Sequence, residues 1–276
     1  MNKKIQTIFR RFFVMPSTEG VIVKKVLPLI YVIDTSGSMF GDRIASVNEA
    51  IHELEPILRE KVGEIPEAEI KIAALTFSSG ARWITANGLV SLDDFFWNDA
   101  TAGGLTDLGA ALKELNQKLS RSSFLVSDTG FCAPVLIFMS DGEPNDNWEK
   151  ELASIKQNNK WFQAARKIAI AIGEDANIEI LTKLVGSNEA VIQTNDLETL
   201  KRMIIAVSVS ASMLAGSSRM AGDAASGSMI LEAATTTLDS DTYTVAPEIA
   251  DFDGPDLMAA GDAGTQDVWD DSGDWN

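Results

Sequence analysis

Continuous apolar runs of strand length recur along the chain. Runs of this kind are typical of strands that are buried on both faces of a sheet, because neither set of alternating side chains then meets water. Strands are predicted at residues 26–34, 69–77, 133–141 and 167–173, and shorter strands at 81–85 and 190–194. The first run, VLPLIYVID, and the third, APVLIFMSD, both end on an aspartate.

Between the strands, apolar residues recur every three or four positions, which is the spacing of one face of an α-helix. The two clearest stripes are Ile44, Val47, Ile51, Leu54 and Leu58, and Leu105, Leu108, Leu112, Leu115 and Leu119. Further helices are predicted from about Asn147, at 177–186 and at 196–212. The alternation of strands and helices predicts an α/β fold, with a doubly wound, mostly parallel six-stranded sheet and helices on both faces.

Composition divides the chain into three parts. Residues 1–23 form a basic N-terminal arm, residues 24–214 carry the strand and helix patterns, and residues 215–276 form an acidic tail. The net charge is −17, and residues 220–276 contain 13 Asp and Glu but no Lys or Arg, so only −4 remains for residues 1–219. The tail is rich in Gly, Ala, Ser, Thr and Asp without sustained periodicity, so we predict that it is disordered.

Composition also excludes several classes of function. No apolar run approaches the roughly 18 residues that span a bilayer, and we expect no secretory signal, because Arg10 and Arg11 interrupt the apolar residues of the N-terminus. The single cysteine, Cys132, fits a reducing compartment, so we expect a cytoplasmic protein. The negative charge disfavours partners such as nucleic acid and anionic lipid, and no stable membrane insertion is expected.

Oxygen-bearing side chains follow three segments of the predicted sheet. Asp34, Ser36 and Ser38 come at the end of the first strand, Thr106 lies in the Gly-rich loop TAGGLTDLG, and Asp141 ends the third long strand. Doubly wound sheets bind ligands at the carboxyl ends of their strands, so these side chains are expected to meet at one edge. Carboxylates and hydroxyls without clustered His or Cys suit a hard cation. We therefore predict a Mg²⁺ site, with Mn²⁺ or Ca²⁺ as alternatives.

The pattern Asp34-x-Ser36-x-Ser38, together with Thr106 and Asp141, resembles the metal-ion-dependent adhesion site of von Willebrand factor type A (VWA) domains. The resemblance implies that the three hydroxyls are direct metal ligands and that the two carboxylates act mainly through waters. Hydroxyls bring no charge, so a dication held this way stays under-neutralised. An acidic group from a partner protein can then enter the last coordination position and be held strongly.

The resemblance covers roughly residues 24–213, and the phrases GGLTDLGAAL and SDGEPNDNWE are similar to the bacterial branch associated with tellurite-resistance and stress operons. It implies a non-enzymatic, Mg²⁺-dependent protein-interaction module of a stress-response or defence complex, whose partner supplies an Asp or Glu. A Ser/Thr kinase and a phosphatase of the same operon are candidate partners, and the threonines of residues 234–245 are candidate phosphorylation sites. Two alternatives stay open: an adaptor of an AAA+ ATPase and a metal-dependent phosphatase.

Five further residues are candidates for contact with a partner protein. Met39, Gly104 and Glu143 neighbour the predicted metal ligands in sequence, and Trp269 and Trp275 lie among carboxylates near the end of the chain. Aromatic residues anchor many interfaces, and acidic residues steer their association. A second hypothesis for the tail is that one of its carboxylates competes with the partner for the metal.

We expect no enzymatic site. A serine hydrolase needs a base beside its nucleophile, but the single histidine, His52, lies midway along the first predicted helix. Neither a G-x-S-x-G elbow nor a G-x-x-x-x-G-K-[ST] loop is present in the sequence. An aspartyl-phosphate enzyme would use Asp34 as its nucleophile, but Ser36 stands where such phosphatases usually place a second carboxylate.

Overall fold

The computed structural model describes residues 24–62, 68–85, 88–187, 190–216, 226–236 and 244–245. The predicted N-terminal arm and most of the predicted tail, including Trp269 and Trp275, lie outside the described residues. The predictions made for those segments therefore stay predictions.

Eight strands lie within the described residues: β1 (Lys25–Asp34), β2 (Ala68–Ser78), β3 (Gly80–Trp83), β4 (Val90–Ser91), β5 (Val135–Ser140), β6 (Arg166–Ile172), β7 (Val191–Thr194) and β8 (Thr244–Val245). The same part of the chain forms seven α-helices: α1 (Asp42–Val62), α2 (Leu108–Lys118), α3 (Trp148–Asn158), α4 (Lys160–Ala164), α5 (Ile178–Val185), α6 (Leu197–Gly216) and α7 (Ser226–Thr235). Among these helices, none has both the length and the apolar character needed to cross a bilayer.

All eight strands belong to one sheet with the order β3-β2-β1-β5-β6-β7-β8, and β4 also pairs with β2. β1 is parallel to β2 and to β5, and parallel pairing continues through β6 to β7. β3, β4 and β8 are antiparallel to their neighbours. The predicted α/β class with a mostly parallel sheet is therefore confirmed. The six predicted strands are the six longest, and β4 and β8 add two residues each.

The order of the strands reverses at the centre of the sheet. β2 lies on one side of β1 and β5 lies on the other. A reversal of this kind opens a crevice at the carboxyl ends of the two central strands, where doubly wound sheets bind ligands. β1 ends at Asp34, and β5 ends at Ser140, directly before Asp141. The fold therefore brings the two predicted carboxylates to the same crevice.

The sheet divides the core into two apolar layers. Tyr31 and Ile33 of β1 belong to the layer that is shared with α1, α6 and α7, whereas Ile30 and Val32 belong to the layer shared with α2, α3 and α5. All four side chains are fully buried. Because both faces of the sheet are covered, the strand sequences are apolar without alternation.

The predicted helical stripe of residues 105–119 is wrong at its first position. α2 begins at Leu108, which is buried, whereas the Leu105 side chain is 58% exposed. Asp107, directly before α2, has a non-helical backbone conformation with φ −87° and ψ 71°. Its N–H donates a hydrogen bond to the Ser78 carbonyl of β2 at 2.8 Å, which holds the preceding loop against the sheet.

Part of the predicted tail belongs to the folded domain. Residues 226–235 form α7, which packs against α6, and its Ile230, Leu231 and Ala234 side chains are buried in the core layer that contains α1. β8 then pairs with β7. The prediction of disorder from residue 215 onward does not hold for this helix, because the apolar face of α7 packs against the core.

We expect Ile230→Ala to lower the free energy of unfolding by about 2–4 kcal/mol, because the substitution removes a buried side chain and leaves a cavity. Met229→Ala is the matched control: Met229 is the neighbouring residue of α7 but is 40% exposed, so we expect a change within about 0.5 kcal/mol. Urea unfolding of the full-length variants measures the difference. Equally small effects of both substitutions would show that α7 does not stabilise the domain.

Candidate metal centre

Asp34 lies at the centre of the candidate site, at the end of β1, and its side chain is fully buried. Its Oδ1 accepts a hydrogen bond from the Ser36 N–H at 2.8 Å, and its Oδ2 accepts one from the Ser140 hydroxyl at 2.6 Å. Burial raises the pKa of Asp34 against the lowering effect of these hydrogen bonds, and the nearby charge of Asp141 raises this pKa further. A carboxylate in this environment is stabilised by a cation placed beside it.

Ser36, Ser38 and Asp141 bring three oxygens close to one another. The Ser36 Oγ lies 3.1 Å from the Ser38 Oγ, and the Ser38 hydroxyl donates to Asp141 Oδ1 at 2.8 Å. Neighbouring oxygens of an octahedral Mg²⁺ site are about 2.9 Å apart, since each lies roughly 2.0–2.1 Å from the ion. Both observed separations therefore suit ligands that share one such ion.

Thr106 reaches the same place from the loop that precedes α2. Its N–H donates to Asn145 Oδ1 at 2.9 Å, and the Asn145 N–H donates back to the Thr106 carbonyl at 2.9 Å. Asp146 makes a second link, since its carboxylate oxygens accept hydrogen bonds from the Gly109 and Ala110 N–H groups of α2 at 3.0 Å each. The loop after β5 thus holds the Thr106 loop in position.

Gly142 marks the space between these oxygens. A Cβ atom at this residue would lie 3.6 Å from each of three atoms, Asp34 Oδ2, Ser38 Oγ and Thr106 Oγ1. Oxygens from three separate segments of the chain therefore converge within van der Waals contact of one point. A side chain at position 142 would occupy it.

This set of donors fits a hard divalent cation. Across the described ranges, no three side chains of His, Cys, Asp or Glu gather in one place, so the charged donors are the carboxylates of Asp34 and Asp141 and the others are hydroxyls. Zinc sites use mainly nitrogen and sulfur ligands, whereas Mg²⁺ takes oxygen ligands and retains waters. The residues that would hold the ion are Asp34, Ser36, Ser38, Thr106 and Asp141. When bound, the ion supplies positive charge and an open coordination position.

Sequence reasoning missed four residues that shape the site: Arg43, Gly142, Asn145 and Asp146. The last three lie in the polar run SDGEPNDNWE, which indicated a loop at this place but not its contacts with the Thr106 loop. Arg43, in the first turn of α1, donates hydrogen bonds to Asp141 Oδ2 and, at 2.8 Å, to Asp175 Oδ1. No pattern in the sequence pointed to this contact.

The residues predicted to contact a partner differ in their exposure to solvent. Gly104 and Glu143 are exposed beside the site. Met39 is fully buried and packs in the core, because the short 3₁₀ turn that contains it directs its side chain inward. Contact between the Met39 side chain and a partner is therefore excluded, and this prediction was wrong. Phe40, the next residue, is 79% exposed.

His52 lies in α1, the helix in which the sequence placed it, and its side chain is exposed. Its Nε2 is 2.7 Å from the carboxylate of Asp99, and both side chains are exposed. The expectation that the chain has no enzymatic site stays a prediction.

No known protein family and no curated protein matches the chain. Several solved structures are similar to it. A von Willebrand factor type A protein from Catenulispora acidiphila is 18% identical, with a TM-score of 0.49, and the alignment covers 69% of this chain and 43% of that protein. The ArnB paralog VWA2 from Sulfolobus acidocaldarius is 20% identical, with a TM-score of 0.47 and coverages of 66% and 45%. Proximal thread matrix protein 1 from the mussel byssus is 17% identical, with a TM-score of 0.49 and coverages of 68% and 46%. Its structure has a zinc-occupied metal-ion-dependent adhesion site (MIDAS) motif.

The chain spans less than half of the length of each of these three proteins. With identities of at most 20% and TM-scores below 0.5, these likenesses assign no ligand and no partner to this chain. The α/β class rests instead on the strand order and pairing described above.

We expect Asp34→Asn to stabilise the metal-free protein at neutral pH and to weaken cation binding by about tenfold or more. Because the pKa of Asp34 is raised on folding, the folded state binds the proton more tightly than the unfolded state does. Ionisation therefore lowers the stability of the wild type as the pH rises from the ordinary value of 3.8 through the raised pKa. Asn keeps an acceptor for the Ser36 N–H but carries no charge.

Urea unfolding in EDTA measures the first effect, and calorimetry with Mg²⁺ measures the second. The advantage of the Asp34→Asn variant in unfolding midpoint should be largest near pH 7 and should shrink toward pH 4. A lower midpoint than that of the wild type at pH 7 would contradict the role assigned to burial.

Gly142→Val is expected to weaken divalent-cation binding by about 10–100-fold, because its two methyl groups would extend from the Cβ position, which lies 3.6 Å from each of the three oxygens. The φ of Gly142 lies outside the left-handed region, so the backbone accepts a side chain. Gly142→Ala adds a single carbon and should have a smaller effect. Calorimetry compares the three proteins, and thermal unfolding in EDTA confirms that they are folded. Equal affinities would place the ion elsewhere.

Proposed function

We propose that the chain is a VWA-type interaction module that binds Mg²⁺ and uses the ion to hold an acidic residue of a partner protein. The observation that most directly supports this function is that oxygens of Asp34, Ser38 and Thr106 all lie 3.6 Å from one point beside Gly142. A single hydroxyl or carboxylate is enough to cap a helix that follows a strand. The convergence of three such groups from separate segments of the chain supports a ligand site in addition to capping.

The charge of the site favours an anion as the last ligand. The carboxylates of Asp34 and Asp141 offset the two charges of a dication, the hydroxyls add none, and Arg43 adds one positive charge next to Asp141. Asp175, which pairs with Arg43 from the solvent side at 2.8 Å, offsets part of this charge, so the loaded site would keep positive charge beside Asp141. A carboxylate from a partner would meet both the open coordination position and this positive charge.

Two exposed apolar side chains lie on the loops that carry the metal ligands. Phe40 is 79% exposed and Leu105 is 58% exposed. The two loops are joined by a hydrogen bond from the Gly37 N–H to the Gly104 carbonyl at 3.1 Å. Aromatic side chains in such positions serve as anchors in protein interfaces. Phe40 and Leu105 would contact the partner on either side of its acidic residue.

The cellular setting is proposed from the sequence resemblance alone. The phrases GGLTDLGAAL and SDGEPNDNWE are similar to VWA proteins of bacterial tellurite-resistance and stress operons. On this basis the module would act in the cytoplasm, within a stress-response or defence complex. A Ser/Thr kinase and a phosphatase would be its partners.

A pull-down with the full-length chain tests the interaction. The wild type should retain a partner in Mg²⁺ and release it in EDTA. In Mg²⁺, Asp34→Ala and Thr106→Ala should retain at most about one tenth of the partner that the wild type retains. His52→Ala is the matched control, because His52 is exposed on α1 and contacts Asp99 rather than the site. Retention that survives EDTA would contradict capture through a metal.

Calorimetry with Mg²⁺ and Mn²⁺ tests the site itself. We expect the wild type and His52→Ala to bind one ion per chain and Asp34→Ala to bind none in the same range of concentration. If the wild type binds no divalent cation, or if Asp34→Ala binds as well as the wild type, the proposed function is wrong.

A further inference from the structure

Arg43 connects the candidate metal centre to the neighbouring edge of the sheet. Its Nη1 donates a hydrogen bond to Asp141 Oδ2, and its Nη2 donates one to Asp175 Oδ1 at 2.8 Å. The Asp141 side chain is fully buried, the Arg43 side chain is 27% exposed, and the Asp175 side chain is 69% exposed. The guanidinium is thus paired with a buried candidate ligand on one side and with a solvated carboxylate on the other.

The lack of a side chain at Gly173 leaves space for this guanidinium. Gly173, which follows β6, has a φ of 97°, and a Cβ atom there would lie 2.5 Å from Arg43 Nη2 and 2.9 Å from Arg43 Cζ. Any side chain at position 173 would collide with the guanidinium and would also strain the backbone. The close approach of Gly173 therefore leaves room for Arg43 to reach Asp141.

Arg43 changes the charge that surrounds a bound dication. Asp34 and Asp141 alone would neutralise the ion, but the guanidinium leaves a surplus of one positive charge. Asp175 pairs with the same guanidinium at 2.8 Å, but its carboxylate is 69% exposed and well hydrated, so it offsets only part of this surplus. A guanidinium that shares the Asp141 carboxylate with the ion repels the ion and attracts a further anion.

We propose that Arg43 makes cation binding and capture of the acidic partner depend on each other. The dication alone binds weakly because Arg43 repels it, and the carboxylate of the partner restores the balance of charge. Each ligand then tightens the binding of the other by the same factor. This inference rests on the proposed function and assigns Arg43 as the positioning residue that couples the two ligands.

A purely structural role for Arg43 predicts the opposite result. If the guanidinium served only to hold the Asp141 carboxylate in place for the ion, its removal would weaken cation binding. Repulsion between the guanidinium and the ion predicts that its removal strengthens cation binding. The sign of the change separates the two roles.

The test is a Mn²⁺ titration of the full-length chain, followed by the electron paramagnetic resonance signal of free Mn²⁺. Arg43→Met removes the charge but keeps an apolar stem, and we expect it to bind Mn²⁺ about tenfold more tightly than the wild type. Arg43→Lys keeps the charge but loses the forked pairing with Asp141 and Asp175, so it should not show the tighter binding expected of Arg43→Met. Unchanged or weaker binding by Arg43→Met would overturn the proposal.

Arg59→Met is the matched control. Arg59 lies on the same helix, about 24 Å further along its axis, and is paired with two carboxylates, those of Glu55 and Asp93. This substitution changes the net charge of the chain by the same amount, and at that distance it should leave the Mn²⁺ affinity within about twofold of the wild type. Equal tightening by both variants would mean a general effect of net charge and would overturn the role of Arg43.

Acetate serves as the carboxylate probe for the coupling. At constant ionic strength, and with free Mn²⁺ corrected for acetate complexes, replacing chloride with acetate should tighten Mn²⁺ binding to the wild type more than to Arg43→Met. An equal effect on both proteins overturns the coupling. Failure of the wild type to bind Mn²⁺ refutes the proposed function, whereas Mn²⁺ binding that Arg43→Met leaves unchanged refutes this inference alone.

Discussion

The rest of the site depends on the buried carboxylate of Asp34 and the two hydrogen bonds that hold it. The Ser36 N–H fixes one oxygen, and the Ser140 hydroxyl fixes the other, so that Asp34 joins the loop after β1 to the end of β5. Burial opposes the charge of this group and raises its pKa, and the two hydrogen bonds do not fully compensate. Shifted groups of this kind concentrate at functional sites. A cation beside Gly142 would supply the stabilisation that these neighbours do not.

The sheet places this buried carboxylate at the crevice at the carboxyl ends of the two central strands. β1 and β5 are adjacent and parallel, so their carboxyl ends deliver two aspartates to one crevice. The loops at this edge are then tied to one another, since Asn145 and Asp146 hold the segment that carries Thr106 and the first turn of α2. Hydrogen bonds between loops thus hold the candidate metal ligands in position, and the two core layers support the sheet from which these loops extend.

Few charged side chains contribute to the electrostatics of the site. Two carboxylates with neutral hydroxyls would match a dication without excess, and the guanidinium of Arg43, which is also paired with Asp175, would add positive charge beside Asp141. Exposed apolar side chains at Phe40 and Leu105 border the same loops. With a dication bound, as in the proposed function, this partly apolar edge would suit a peptide with an acidic residue better than a polyanion, since the favourable charge would be confined to one point.

The sequence by itself determined the α/β class and the limits of the four long strands to within two residues, because strands buried on both faces must be continuously apolar. It also indicated Asp34, Ser36 and Ser38, whose close spacing is a local pattern. Only the tertiary structure decided that Arg43 meets Asp141, that Met39 turns inward and that α7 returns to the core. Arg43 and Asp141 are 98 residues apart, and local spacing carries no information about contacts that the packing of distant segments creates.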